Sequence, residues 1–111
     1  LTRPAALDYL PRLGPCTKVS GYFDPLLASH ARRLESVRSA GVPLVVLVND
    51  PPAPLLPARA RAELVAALGA VEVVVLPEGP SAADLVPDLR MEEVDEADRN
   101  RLICAVKERH R

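Results

Sequence analysis

The chain has 111 residues, room for one domain, since a single hydrophobic core claims about 100 residues or more; one domain rather than a multidomain machine is expected. Apolar residues make up 49% and charged residues 26%, close to globular averages, which argues against wholesale disorder. Fourteen Lys and Arg against fifteen Asp and Glu leave a formal net charge of −1, so no global positive field exists to collect nucleic acid or an anionic membrane.

The segment Leu1 to Leu10 has Ala5, Ala6, Leu7 and Leu10 at helical spacing, which predicts a short helix and then a turn before Pro15. It lacks the layout of a secretion signal, so a cytoplasmic protein is expected. Thr17 to Phe23, closed by Asp24-Pro25, reads as a strand delivering its last residues to a loop. Beyond it, Leu27, Ala31, Leu34 and Val37 recur at steps of four, three and three between charged residues, the pattern of an amphipathic helix with Ser29 or Asp24 as cap. Gly41 is the expected residue just past its C-terminus.

Val42 to Val48 is nearly all aliphatic, as in a strand buried on both faces. Asn49-Asp50-Pro51-Pro52 ends it, and a second helix is expected from about Ala58 to Leu68, burying Leu64, Val65 and Leu68. Gly69 stops that helix, and Val71 to Leu76 supplies a third strand. Further on, Ser81 to Val86 reads as a helical turn and Pro87 to Met91 as a short strand. The acidic run Glu92 to Asp98 leads into a last helix that ends in basic residues, matching the helix dipole. Strands about 27 residues apart with helices between them predict a Rossmann-like three-layer α/β/α domain, with a mostly parallel sheet of about four strands. No apolar run approaches the roughly 20 residues of a membrane span. Cys16 and Cys104 lack the spacing of a zinc site or a disulfide framework and are expected to be reduced.

Ligands of open parallel sheets collect beyond the carboxyl ends of the strands. The loop after the first long strand reads Gly21-Tyr22-Phe23-Asp24-Pro25-Leu26-Leu27-Ala28-Ser29-His30. A helix starts there almost at once, and free N–H groups at a helix start favour phosphate. His30 in the first turn has a ring N–H to add, while Asn49-Asp50 offers polar groups at the end of the next strand.

Gly21-x-Phe23-Asp24-x-Leu26 with His30, then Asn49-Asp50, Arg61-Ala62-Glu63-Leu64, Val71-Glu72-x-Val74-Val75 and Pro87-Asp88, resembles the cytidylyltransferase-like nucleotidyltransferases. Glycerol-3-phosphate cytidylyltransferase and the adenylyltransferase domain of ADP-heptose synthase are the nearest in flavour. The resemblance runs from about Thr17 to Asp88. It implies transfer of a nucleoside monophosphate from CTP or ATP to a small phosphorylated acceptor, with release of pyrophosphate and the help of Mg²⁺. Acceptor phosphate attacks the α-phosphorus in line, and the protein orients reactants and stabilises charge without a nucleophile of its own. The resemblance makes His30 the catalytic phosphate contact, and Gly21, Tyr22, Phe23, Asp24, Ser29, Asp50 and Arg61 the nucleotide- and phosphate-binding residues, with no protein metal-ligand motif. A homodimer contact is expected at the apolar Pro51 to Pro57 stretch.

The family's His-x-Gly-His signature is matched only at its second histidine: Leu27 and Ser29 occupy the first histidine and glycine positions. An Ile-Ser-Thr-Thr segment and a basic residue between Asp50 and Pro57 are also missing, and Arg90 falls where a Lys-Gly pair is expected. Each lost charge-stabilising donor costs about 10²–10³ in rate. Two functions from different classes therefore stand: a small nucleotidyltransferase, or a catalytically degenerate nucleotide-binding or protein-interaction module of the same fold. Plainer roles stand beside them, with Asp24 as a helix cap, His30 as a satisfied helix-start histidine, and Arg61 as a surface arginine paired with Glu63 or Asp50. A phospho-receiver domain is set aside, because Leu76-Pro77-Glu78 carries no Asp after the third strand.

Overall fold

The computed structural model describes residues 6–7, 15–38, 41–77 and 85–109. In chain order they form β1 (Ala6–Leu7), β2 (Thr17–Gly21), α1 (Ala28–Val37), β3 (Leu44–Val48), α2 (Ala58–Ala66), β4 (Val73–Val75), β5 (Leu89–Arg90) and α3 (Glu92–Arg109). The five strands make one sheet in the order β1-β4-β3-β2-β5, and every neighbouring pair is parallel. Gly21 stands opposite Val48, and Leu47 opposite Val75, so the main strands finish at a common rim. This is the Rossmann-like α/β arrangement that the alternation of strand and helix patterns predicts.

Strand order dictates where the helices lie. The connections from β2 to β3 and from β3 to β4 step the same way across the sheet, and right-handed crossovers that step the same way lie on one face. Accordingly Leu34 of α1 and Ala62, Val65 and Ala66 of α2 join one cluster with Val19, Leu44, Val46, Val48 and Val74. The connection from β4 to β5 steps back past β2, and its Leu85 packs on the opposite face with Val45, Leu47, Val73 and Val75. All five residues of β3 are buried, as expected for a central strand with an all-aliphatic sequence.

Several boundaries differ from expectation. The helix read over Leu1 to Leu10 is instead, at Ala6–Leu7, a strand beside β4, while the rest of that segment lies outside the described residues. A short isolated helix is marginal, and the free edge of β4 offers backbone hydrogen bonds in its place. β2 ends at Gly21 rather than Phe23, because Phe23 adopts a left-handed φ of 49° that no strand residue can hold. Gly41 does not terminate α1, which ends at Val37 with an extended Arg38; the φ of 77° at Gly41 serves the turn into β3. Of the stripe expected on α2, Val65 is buried and Leu68 packs half-buried against the core, but Leu64 is 46% exposed, and Arg61, Ala62 and Ala66 are buried beside Val65. The acidic run at Glu92 is already inside α3 rather than leading into it, and Lys107 and Arg109 occupy its last turn. Residues 81–84 of the expected helical turn lie outside the described residues. No helix among the described residues is long and apolar enough to cross a membrane.

Candidate functional site

The switch in strand order falls between β2 and β5, and in open α/β sheets the crevice outside the strand ends at such a switch is where ligands bind. A cleft of about 680 Å³ lies there. Tyr22 comes to it from the end of β2, Asn49 and Asp50 from the end of β3, and Arg90 from β5. Glu92, Glu93 and Val94 of the first turn of α3 complete the wall. Charge in this wall is uneven: one guanidinium faces three carboxylates.

Backbone and side-chain hydrogen bonds join the strand ends below the cleft. Asn49 donates its N–H to Gly21 O at 2.8 Å, and Met91 donates to Ser20 O at 2.8 Å. The Asn49 side-chain amide donates to Glu92 Oε1 at 3.1 Å, linking the end of β3 to the start of α3 across β2. Two residues earlier in β2, Asp88 accepts the Lys18 N–H at 2.9 Å and returns its own N–H to Lys18 O at 2.7 Å. Asp88 thus fixes β5 against β2 just ahead of Arg90.

Arg61 is not a surface residue. Its side chain is fully buried beneath the rim, donating from Nε to Leu56 O at 3.0 Å and from Nη1 to Tyr22 O at 3.1 Å and Asn49 O at 2.7 Å. Nη2 donates to Asp50 Oδ1. Burying a guanidinium is costly unless its donors are matched, and here backbone carbonyls from three segments do the matching. Asp50 is the expected partner, whereas Glu63 pairs with Arg59 instead.

Asp24 is likewise a connector and does not cap α1, whose N-cap is Leu27. Its buried carboxylate accepts the N–H groups of Leu55 and Leu56 at 2.7 and 2.9 Å, fastening the 51–57 loop to the loop after β2. His30 is 1% exposed. Its Nδ1 accepts the Leu27 N–H at 2.9 Å, and its ring meets Phe23 edge-on at a centroid distance of 5.4 Å. Ser29 is half-buried in the first turn of α1, and Gly21 is buried at the end of β2. Of the residues singled out from the sequence, Tyr22, Asn49 and Asp50 therefore line the cleft, Arg61 and Asp24 brace it, and Gly21, Phe23, Ser29 and His30 are not among its lining residues.

Glu92, Glu93 and Val94 escaped the sequence reading, which took the acidic run as a dipole-matched lead into a helix. The available signal was their place directly after a short strand at the switch point. Among the described residues no group of three His, Cys, Asp or Glu side chains is arranged to hold a metal ion. Cys16 is half-buried, Cys104 is exposed, and both are free thiols.

Fold and cleft together define a Rossmann-like α/β domain with a polar crevice at its switch point. The chain is 38% identical over 80 residues to the Bifunctional protein HldE of Magnetococcus marinus, a match covering 64% of this chain and 16% of that protein's length. The chain thus corresponds to a small part of its relative. No protein-family model matches the chain, and no solved structure does.

Proposed function

We propose that this is a nucleotidyltransferase-like domain that binds a nucleotide with its metal ion in the switch-point cleft and has lost most of the transfer activity. The observation that carries this is the inward placement of both expected phosphate contacts. His30 spends Nδ1 on Leu27 and packs against Phe23; Arg61 spends its guanidinium on four acceptors of the protein. The Leu27 side chain, at the position of the first histidine, has no hydrogen-bond donor. Arg90 is then the basic side chain left in the described lining, where transfer needs several donors aimed at developing charge.

Carboxylate oxygens are the ligands Mg²⁺ takes, and Asp50, Glu92 and Glu93 bring three carboxylates to the lining. No three-ligand cluster exists among the described residues, so a carboxylate of the lining, Asp50 or Glu93, would contact a cation that arrives with the phosphates, since Mg²⁺ is commonly held by one or two carboxylates and substrate oxygens. The ion would offset carboxylate charge against phosphate charge; Asn49 and Arg90 remain to orient the ligand. The cytoplasm, where nucleoside triphosphates are abundant, is the corresponding setting.

A functioning transferase is the second reading, favoured by the 38% identity to HldE. Pyrophosphate release, measured with CTP and with ATP plus Mg²⁺ across a panel of sugar and polyol phosphates, separates the two. Our proposal predicts a flat panel with a nucleotide-dependent thermal shift; turnover that disappears in His30→Ala overturns it.

A further inference from the structure

We infer that Arg61 is the positioning residue of the cleft, and that through it the 51–57 loop is mechanically part of the binding site. This rests on the switch-point cleft being the ligand site. Three of the residues lining that cleft, Tyr22, Asn49 and Asp50, are held from below by one side chain: two by their carbonyls, the third by its carboxylate. The same guanidinium takes Leu56 O through Nε, and the N–H of Leu56 is bound to Asp24. Leu56 is therefore gripped from both sides, by a buried cation and a buried anion. Those two groups stem from α2 and from the loop after β2.

Geometry makes the role specific to arginine. The four acceptors come from three separate segments and are reached in one plane by a rigid fork of five N–H donors. The ammonium of lysine has three donors on one atom and cannot span them. Asp50 is asymmetric in this pair: its side chain is 56% exposed while that of Arg61 is fully buried. The carboxylate thus presents one side to the clamp and the other to the cleft. Loss of the fork releases two backbone carbonyls and one carboxylate at the rim together, whereas the hydrophobic face holding Val65 and Leu34 remains packed.

The test uses the full chain and three variants: Arg61→Lys, Asp50→Ala, and Arg59→Lys as a control on the neighbouring exposed pair with Glu63. Affinity for Mg²⁺-ATP is measured well below each variant's melting temperature, and backbone amide exchange is followed by NMR. Arg61→Lys is expected to weaken nucleotide binding at least tenfold. It should also raise exchange at Leu55, Leu56, Asn49 and Asp50 above that of the β3 core amides, while Arg59→Lys changes neither. A residue that only stabilised the fold would lower the melting temperature and leave affinity unchanged. Folded Arg61→Lys with wild-type affinity and unaltered rim exchange overturns the inference. Should that variant not fold, Asp50→Ala decides, since it removes only the exposed half of the pair: rim exchange must rise around Asn49, and its absence refutes the clamp. If the wild type itself binds no nucleotide, the proposed function fails, yet the exchange pattern still tests Arg61.

Discussion

Replacing Asp24 with alanine deletes two hydrogen bonds from a buried carboxylate, to Leu55 N–H at 2.7 Å and Leu56 N–H at 2.9 Å. Hydrogen bonds to a charged acceptor contribute about 1.5–3 kcal/mol each. Leu55 is 54% exposed, so its N–H regains water when the carboxylate is gone, and the low end applies; the pair sums to about 3 kcal/mol. Against a domain stability of roughly 5–15 kcal/mol, that is a large fraction. A loss of this size lowers the melting temperature by roughly 10–20 °C for a domain near this length. Urea titration followed by circular dichroism is the assay, with the midpoint shifting and the slope unchanged if the native fold is retained. Asp24→Asn keeps one carbonyl acceptor and should lose about half as much. A midpoint for Asp24→Ala within error of the wild type would show that the 51–57 loop is not held as described.

Two further outcomes follow from burial and loop exposure. Leu34→Ala, at a fully buried position of α1, should cost about 2–5 kcal/mol. Leu64→Ala on α2 should stay within about 0.5 kcal/mol of the wild type, because 46% of Leu64 is exposed; equal costs in urea titration would mean the stripe of α2 is misplaced. If the exposed tip at Pro52, Ala53, Pro54 and Leu55 joins two copies, light scattering should give twice 12.0 kDa, and Leu55→Asp should restore the monomer. A monomer mass at high concentration for the wild type rules the contact out.

The sheet was legible because its strands carry their own signal. Leu44–Val48 and Val73–Val75 are aliphatic runs that only a doubly covered parallel strand accommodates, and the spacing between them admits a crossover helix. Ala6–Leu7 was not legible, since two apolar residues have no period and their pairing depends on the open edge of β4. The stripe of α2 was legible at Val65 and Leu68 but not at Leu64 and Arg61: a pattern search places leucine inside and arginine outside, yet Arg61 goes inward because four acceptors from distant segments await it. Asp50 and Tyr22 were found at the cleft by the rule that ligands gather at strand ends. Glu92 and Glu93 were missed because β5 is only two residues long and the acidic pair also reads as an ordinary helix start. His30 sits in the first turn of its helix, as its spacing required; that its imidazole meets the Phe23 ring and accepts the Leu27 N–H is tertiary and local geometry that spacing does not reveal.

Titration of the isotopically labelled chain with Mg²⁺-ATP and Mg²⁺-CTP, read by amide chemical shifts, tests the central claim most directly. The account predicts that the largest shifts cluster at Tyr22, Asn49, Asp50, Arg90, Glu92 and Glu93. Shifts confined to other surfaces, or none at millimolar nucleotide, would contradict a ligand site at the strand switch.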